Sequence, residues 1–187
     1  PDCPKVESMQ SALRFLTREE SPSDFETVFA IHSAAFDSDT ESKLVDAVRA
    51  QASPVVSLVA IEGEGRDTGE VIGHILASPV TIEHGPKDLA YMALGPMAVR
   101  PDFQRQGVGA RLVLNALDAC RELGAAAVFV RDHPDYYPRL GFEPVANLGL
   151  YFADPDTERP FFALELQANA LTDCAGEVYY HPKFNRS

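Results

Sequence analysis

The chain has 187 residues, 45% of them apolar, which is ample for one core and suits one domain, with two small ones as the outer limit. Sixteen Lys and Arg against 28 Asp and Glu leave a formal net charge of −12. That balance speaks against nucleic acid as a partner, because phosphate neutralisation dominates such binding, and equally against anionic membrane surfaces. It favours a cationic substrate through long-range attraction, with plain solubility as the competing explanation. There is no run of eighteen apolar residues, so no membrane span is expected. Cys3, Cys120 and Cys174 are far apart, odd in number and without CxxC or Cys/His metal spacing. They read as thiols of a reducing cytoplasm, with no disulfide framework and no bound metal.

Residues 1–10 read as a loose tail. PDCPKVES lacks the basic region and apolar core of a signal peptide, and a single domain is expected over 11–187. Residues 13–17 alternate as a short first strand. Ser21-Pro22-Ser23-Asp24 marks a helix start capped by Ser or Asp. Phe25, Val28, Phe29, Ile31, His32 and Phe36 follow at three- and four-residue spacing, as one amphipathic face. Leu44, Val45 and Val48 mark a second helix, with Glu41 in or near its first turn. A strand over 57–62, a loop over 63–69 and a return strand over 70–77 make a hairpin, and the return strand can continue through 80–84. After a turn at 85–88 the next strand runs over 90–100. Gly95-Pro96 interrupts it, and because proline has no N–H for the ladder, a bulge or splay is expected there.

The stretch 94–111, LGPMAVRPDFQRQGVGAR, carries the most information. An apolar strand, a glycine-containing loop and a helix start follow one another. The first helical turn leaves backbone N–H groups without partners, at the positive end of the helix dipole. Gly107 and Gly109 put no side chain in a ligand's way, and Arg105 and Arg111 add charge, so a pyrophosphate would fit. A strand-to-helix turn with glycines for tight packing is the competing reading. The pattern is neither a Walker loop nor the dinucleotide fingerprint. The helix is predicted over 107–123, with Leu112, Val113, Ala116, Leu117, Cys120 and Leu123 on one face and Gly124 as its stop. Residues 125–130 are wholly apolar, so a central strand, and strand–helix–strand implies parallel pairing with a right-handed crossover. A short helix over 135–140 ends at Gly141. A late strand is predicted over 161–166, and residues 178–184 are a last strand or an arm packed on the sheet.

Gln104-x-x-Gly107-x-Gly109 matches the Gln/Arg-x-x-Gly-x-Gly/Ala motif of the GNAT superfamily of N-acetyltransferases. Met97-Ala98-Val99-Arg100-Pro101 is similar to that family's strand before the acetyl-CoA loop. Tyr137-Pro138-Arg139-Leu140-Gly141-Phe142 resembles its Tyr-x-x-x-Gly-Phe segment. The three stand in the family's order, and the resemblance spans residues 13–166. It implies an α/β fold: a mixed, mostly antiparallel twisted sheet with splayed central parallel strands, flanked by helices. The pantetheine arm of acetyl-CoA would lie in the splay. Cofactor contacts would come from Met97, Ala98 and Val99 on the strand, and from Gln104, Arg105, Gln106, Gly107, Val108, Gly109, Ala110 and Arg111 in the loop and helix start. Asp132 and Tyr136 would contribute from beyond the central strand.

By the same resemblance, the Val99 N–H is the oxyanion donor and Tyr137 the general acid that protonates the departing thiolate, with packing as the alternative role for Tyr137 and the neighbouring Tyr136. Residues 91–99 hold no carboxylate, so the base is open: Glu41, His74 and His133 are candidates beside a water relay. Cys120 is expected in the core, which leaves direct attack of an amine within a ternary complex. The acceptor would be a primary amine of a small molecule or protein, and the enzyme a monomer or homodimer. A catalytically silent acyl-CoA-binding regulatory module is the alternative. Acetylation of charged transfer RNA ranks last, given the acidic chain.

Overall fold

A computed structural model describes residues 14–63, 69–131, 133–153 and 159–180. The expected tail over 1–10, Leu13 of the first predicted strand and Asp132 lie outside the described residues. In chain order the elements are β1 (Phe15–Glu19), α1 (Phe25–Phe36), α2 (Thr40–Gln51), β2 (Val56–Glu62), β3 (Val71–His84), β4 (Ala90–Val99), α3 (Val108–Glu122), β5 (Ala125–Arg131), β6 (Glu143–Pro144), β7 (Leu150–Tyr151), β8 (Phe161–Glu165) and β9 (Ala175–Tyr180).

The strands run β1-β2-β3-β4-β5-β8-β6 across one mixed sheet. β3 is long enough to serve two neighbours on one edge: residues 71–77 pair with β2, and residues 80–84 with β9. β4 and β5 are parallel, as are β9 and the two-residue β7, and the remaining pairs are antiparallel. The return strand therefore does continue to His84, and the last strand ends at Tyr180, with residues 181–187 not described.

Period-2 alternation sorts the core. Val56, Leu58 and Ala60 of β2 pack on the α3 side, while Val59 and Ile61 pack with Val28 and Ile31 of α1 and Val45 of α2. The expected face of α3 is buried at Leu112, Val113, Ala116, Leu117 and Cys120, but Leu123 is 49% exposed because the helix stops at Glu122 and Leu123 only caps it. Each buried Leu or Val here is worth roughly 1.5–3 kcal/mol over its exposed state. α3 lies directly on β3: a Cβ on Gly73 would meet Leu112 Cδ1 at 3.1 Å and Val108 Cγ1 at 3.2 Å. In α1 only Val28, Ile31 and His32 are buried, and Phe36, expected on the same face, is 43% exposed at the helix end.

The interruption at Gly95-Pro96 opens the sheet. Ile75 pairs with Met97 and Ala77 with Leu94, so Leu76 alone faces the two residues Gly95 and Pro96, a bulge in β4. Pairing of β4 with β5 stops at Ala93 opposite Phe129. Beyond it the parallel strands part, and residues 94–99 of β4 have no ladder on that side.

Candidate active site

Which backbone groups face the gap follows from the ladder. Arg100 N–H donates to the Ile72 carbonyl at 2.9 Å, and Ala98 lies opposite His74. Antiparallel pairing alternates, so Ala98 and Arg100 bond toward β3, and Met97 and Val99 turn their N–H and C=O groups toward the gap. The Val99 carbonyl is engaged, accepting from Gln104 Nε2 at 3.0 Å. Val99 thus offers its N–H to the gap, and Gln104 fixes the strand's end to the loop.

The loop delivers a helix start to the same place. Gly107, at φ +86°, is the N-cap of α3 and has open space where a Cβ would stand. Arg111 N–H returns to the Gly107 carbonyl at 3.1 Å, so the N–H groups of Val108, Gly109 and Ala110 have no acceptor within the helix. There is no side-chain cap and no acid in this first turn. A Cβ on Gly109 would touch the Met97 methyl at 3.4 Å, which seats the helix start against the exposed edge of β4. Arg105, at φ +59°, Gln106 and Arg111 are exposed around it, and Gln106 Nε2 holds the Asp102 carbonyl at 3.0 Å.

The far wall comes from the turn after β5. The His133 carbonyl accepts from the N–H groups of Tyr136, at 3.0 Å, and Tyr137, at 3.4 Å. The predicted short helix is a single 3-10 turn over Tyr137–Leu140, closed by Gly141 at φ +89°. Tyr137 is buried, with its ring against Tyr136 at 5.2 Å, Phe142 at 5.4 Å and His133 at 6.3 Å. The Tyr136 hydroxyl is buried without a partner among the described residues, and burial raises its pKa.

Between these walls lies a cavity of about 240 Å³. Gly95–Met97, Val130, Arg131, His133 and Tyr137 form its sheet side, and Phe36, Glu41 and Leu44 its helical side. Glu41 stands in the first turn of α2, as expected, and its Oε2 is buried with no partner among the described residues. Tyr137, Glu41 and His133 thus share one cavity, whereas Tyr136 and His74 do not line it. Both described cysteines are buried, and burial pushes the Cys120 thiol up to about 12.

His74 has another role. Glu20 accepts from Arg49 Nε at 3.0 Å, from Arg49 Nη2 at 2.5 Å and from Ser57 Oγ at 2.6 Å. Ser57 has then spent its proton, so at 2.9 Å it accepts from His74 Nε2, and His74 Nδ1 accepts in turn from His32 Nε2 at 2.8 Å. His32 Nδ1 ends the chain without a partner among the described residues. Sequence alone paired neither histidine with the other, since 42 residues separate them. Burial, then Arg49, lowers the His32 pKa to about 4, and burial lowers that of His74 well below its usual value.

A folded pKa below the unfolded value of about 6.5 gives stability that is complete above pH 6.5 and lost as pH falls toward 4. For His32 the loss between pH 7 and pH 4 is expected to be about 3 kcal/mol. Urea unfolding of the native chain and of His32→Gln across that range checks it: the variant's curve should be flatter, and equal slopes would overturn the assignment.

The model of the acetyltransferase (GNAT) family matches residues 20–142. An uncharacterized N-acetyltransferase of Escherichia coli K12, YhbS, is 37% identical over 171 residues, covering 91% of this chain and 99% of that protein. The crystal structure of YhbS from Escherichia coli in complex with CoA superposes with a TM-score of 0.83 at 36% identity, covering 96% of this chain and 97% of that one. A GNAT-family acetyltransferase from Brucella melitensis, solved with acetyl-CoA, gives a TM-score of 0.72 at 31% identity, covering 92% and 99%. With the family's motif at the helix start and its splay in the sheet, the chain belongs to the GNAT acetyltransferase family.

Proposed function

We propose that the chain is an acetyl-CoA-dependent N-acetyltransferase acting on a primary amine by direct attack within a ternary complex. One observation carries this: an anion-ready helix start, an unladdered strand edge and a cavity holding a phenol and a carboxylate meet at one splay. The relatives from Escherichia coli and Brucella melitensis were crystallised with CoA and acetyl-CoA, and the residues here suit that group. The N–H groups of Val108, Gly109 and Ala110, with Arg105 and Arg111, would hold the pyrophosphate; Met97 and Val99 would pair with the pantetheine amides.

When bound, acetyl-CoA supplies an activated acyl thioester. The Val99 N–H is aimed to stabilise negative charge growing on the acyl oxygen. Glu41 would take one proton of the incoming ammonium; as the N–C bond forms and the C–S bond breaks, Tyr137 would give its hydroxyl proton to the sulfur and recover the second proton that the new amide nitrogen loses. The buried Cys120 and Cys174 leave a covalent cysteine route without a nucleophile among the described residues. Residues 11–187 are read as one such domain, and the free thiols agree with a cytoplasmic site of action.

Calorimetric titration with acetyl-CoA, followed by thiol release over a broad amine panel, tests the reading. Saturable binding and amine-dependent release are expected. No binding by the folded chain would overturn it, and binding without turnover would favour the silent regulatory module.

A further inference from the structure

Two helices carry one side of the cavity. Phe36 ends α1, and Glu41 and Leu44 stand near the start of α2. The wall across from them, Phe152 edge-on to Tyr180 at 4.9 Å, is an aromatic corner borne by β9 and the residue after β7. Glu41 Oε2 has no partner among the described residues, so the helix beneath it decides where the charge stands. The seating of α1 and α2 on the sheet therefore sets the distance from Glu41 to the Met97–Val99 edge.

Apolar contact fixes that seating only loosely. Val28 and Ile31 of α1 pack with Val59, Ile61, Val71 and Ala98, but such contact has no preferred direction. Two hydrogen bonds from fully buried side chains supply direction. His32 Nε2 donates to His74 Nδ1 at 2.8 Å, and His74 stands opposite Ala98, between the two residues that face the gap. Ser42, next to Glu41, donates from Oγ to the Phe29 carbonyl at 2.8 Å. Ser33 Oγ, which donates to Asp39 Oδ1 at 2.7 Å, lies 2.9 Å from the Ser42 oxygen. One path of bonds thus runs from β4 through β3 and α1 to the start of α2. Away from water such bonds are strong, and they tolerate little change in angle.

We infer that His32 and Ser42 are positioning residues for acyl transfer: His32 pins α1 to the sheet, and Ser42 hangs the start of α2, with Glu41, from α1. This rests on the acetyltransferase reading of the same site, but one arm of its test does not require turnover. A misplacement of about 1 Å can cost about 100-fold in rate, so a partial slip should cost about tenfold.

Kinetics of the full chain would use whichever amine of the panel is acetylated fastest, with acetyl-CoA calorimetry and urea midpoints alongside. Ser42→Ala deletes one oxygen and leaves the Phe29 carbonyl its bond within the helix, so it should fold. Its kcat/KM for the amine should fall about tenfold, with acetyl-CoA affinity within about threefold of native. His32→Leu should do the same and also lose stability, because His74 Nδ1 is left without a donor. The double variant His32→Leu/His74→Leu has no such orphan and should regain stability without regaining turnover. His32→Gln places an amide nitrogen where Nε2 stood and should stay within about threefold of native turnover. Hydrogen exchange over residues 25–51 should be about tenfold faster in Ser42→Ala and in the double variant, and unchanged over 90–99.

A double variant that regains turnover together with stability would make the histidine bond structural only and overturn the proposal. So would Ser42→Ala with native turnover, or a His32→Gln enzyme as slow as His32→Leu. If the native chain acetylates no amine, the acetyltransferase reading falls and hydrogen exchange decides the pinning by itself: native rates over 25–51 in both variants would overturn it.

Discussion

With Tyr137 replaced by phenylalanine, amine acetylation is expected to slow by about 100-fold, the lower range for losing a general acid, while acetyl-CoA affinity changes less than about threefold. The substitution removes one oxygen and keeps the ring that packs on Tyr136, Phe142 and His133, so the turn should survive. A phenol is a weaker acid than a thiol, so giving its proton to a thiolate is an uphill step. That is a small step compared with leaving a thiolate uncompensated in a partly desolvated gap. Tyr136→Phe is the matched control. Its hydroxyl is buried without a partner among the described residues, so deleting it should leave turnover near native and stability equal or better. Steady-state kinetics with parallel calorimetry decides the matter: a Tyr137→Phe enzyme within threefold of native turnover would move the acid elsewhere.

The second large effect is expected at Gly107. A Gly107→Glu chain should lose at least 100-fold in acetyl-CoA affinity. The residue sits at φ +86°, so any side chain there carries a left-handed penalty of roughly 1–2 kcal/mol. Space is open at its Cβ, so no clash adds to that. The carboxylate would lie at the helix start, where it is itself attracted to the unpaired N–H groups and repels a pyrophosphate. Two like charges about 4 Å apart near a protein surface interact by about 4 kcal/mol, more than the 2.7 kcal/mol that a 100-fold loss requires. Gly107→Asn accepts the same backbone angle without charge and should retain most affinity. If the Glu variant bound acetyl-CoA like the native chain, the loop would not be the phosphate site.

The parts of the molecule that were legible in sequence are those set by local chemistry. Glycines at 107 and 109 after an apolar strand announced the helix start, and the proline at 96 announced the break in β4. The face of α3 followed from spacing, except at Leu123, where the helix end released the last apolar residue to solvent. Glu41 could be placed in a first turn, but only the fold carries that turn across to Tyr137. The aromatic corner of Phe152 and Tyr180 joins segments far apart in the chain, and no local period encodes such a meeting. His74 illustrates the converse. As a lone histidine in a strand it had both a catalytic and a structural reading, and the hydrogen bonds on both its nitrogens select the structural one.

The chain of bonds from Arg49 through Glu20, Ser57 and His74 ends at His32, whose ring lies nearly parallel to that of Phe36, 6.0 Å away. Phe36 is part of the cavity wall. For anyone reshaping acceptor preference, α1 is therefore not an independent cassette. A helix borrowed from a relative with a different residue at position 32 would strand His74 beside the buried Glu20, and the mismatch would be felt in β2 and β3. Productive exchanges would move α1 together with those two strands, and substitutions at positions 20, 32, 57 and 74 should be tolerated in combination more readily than singly.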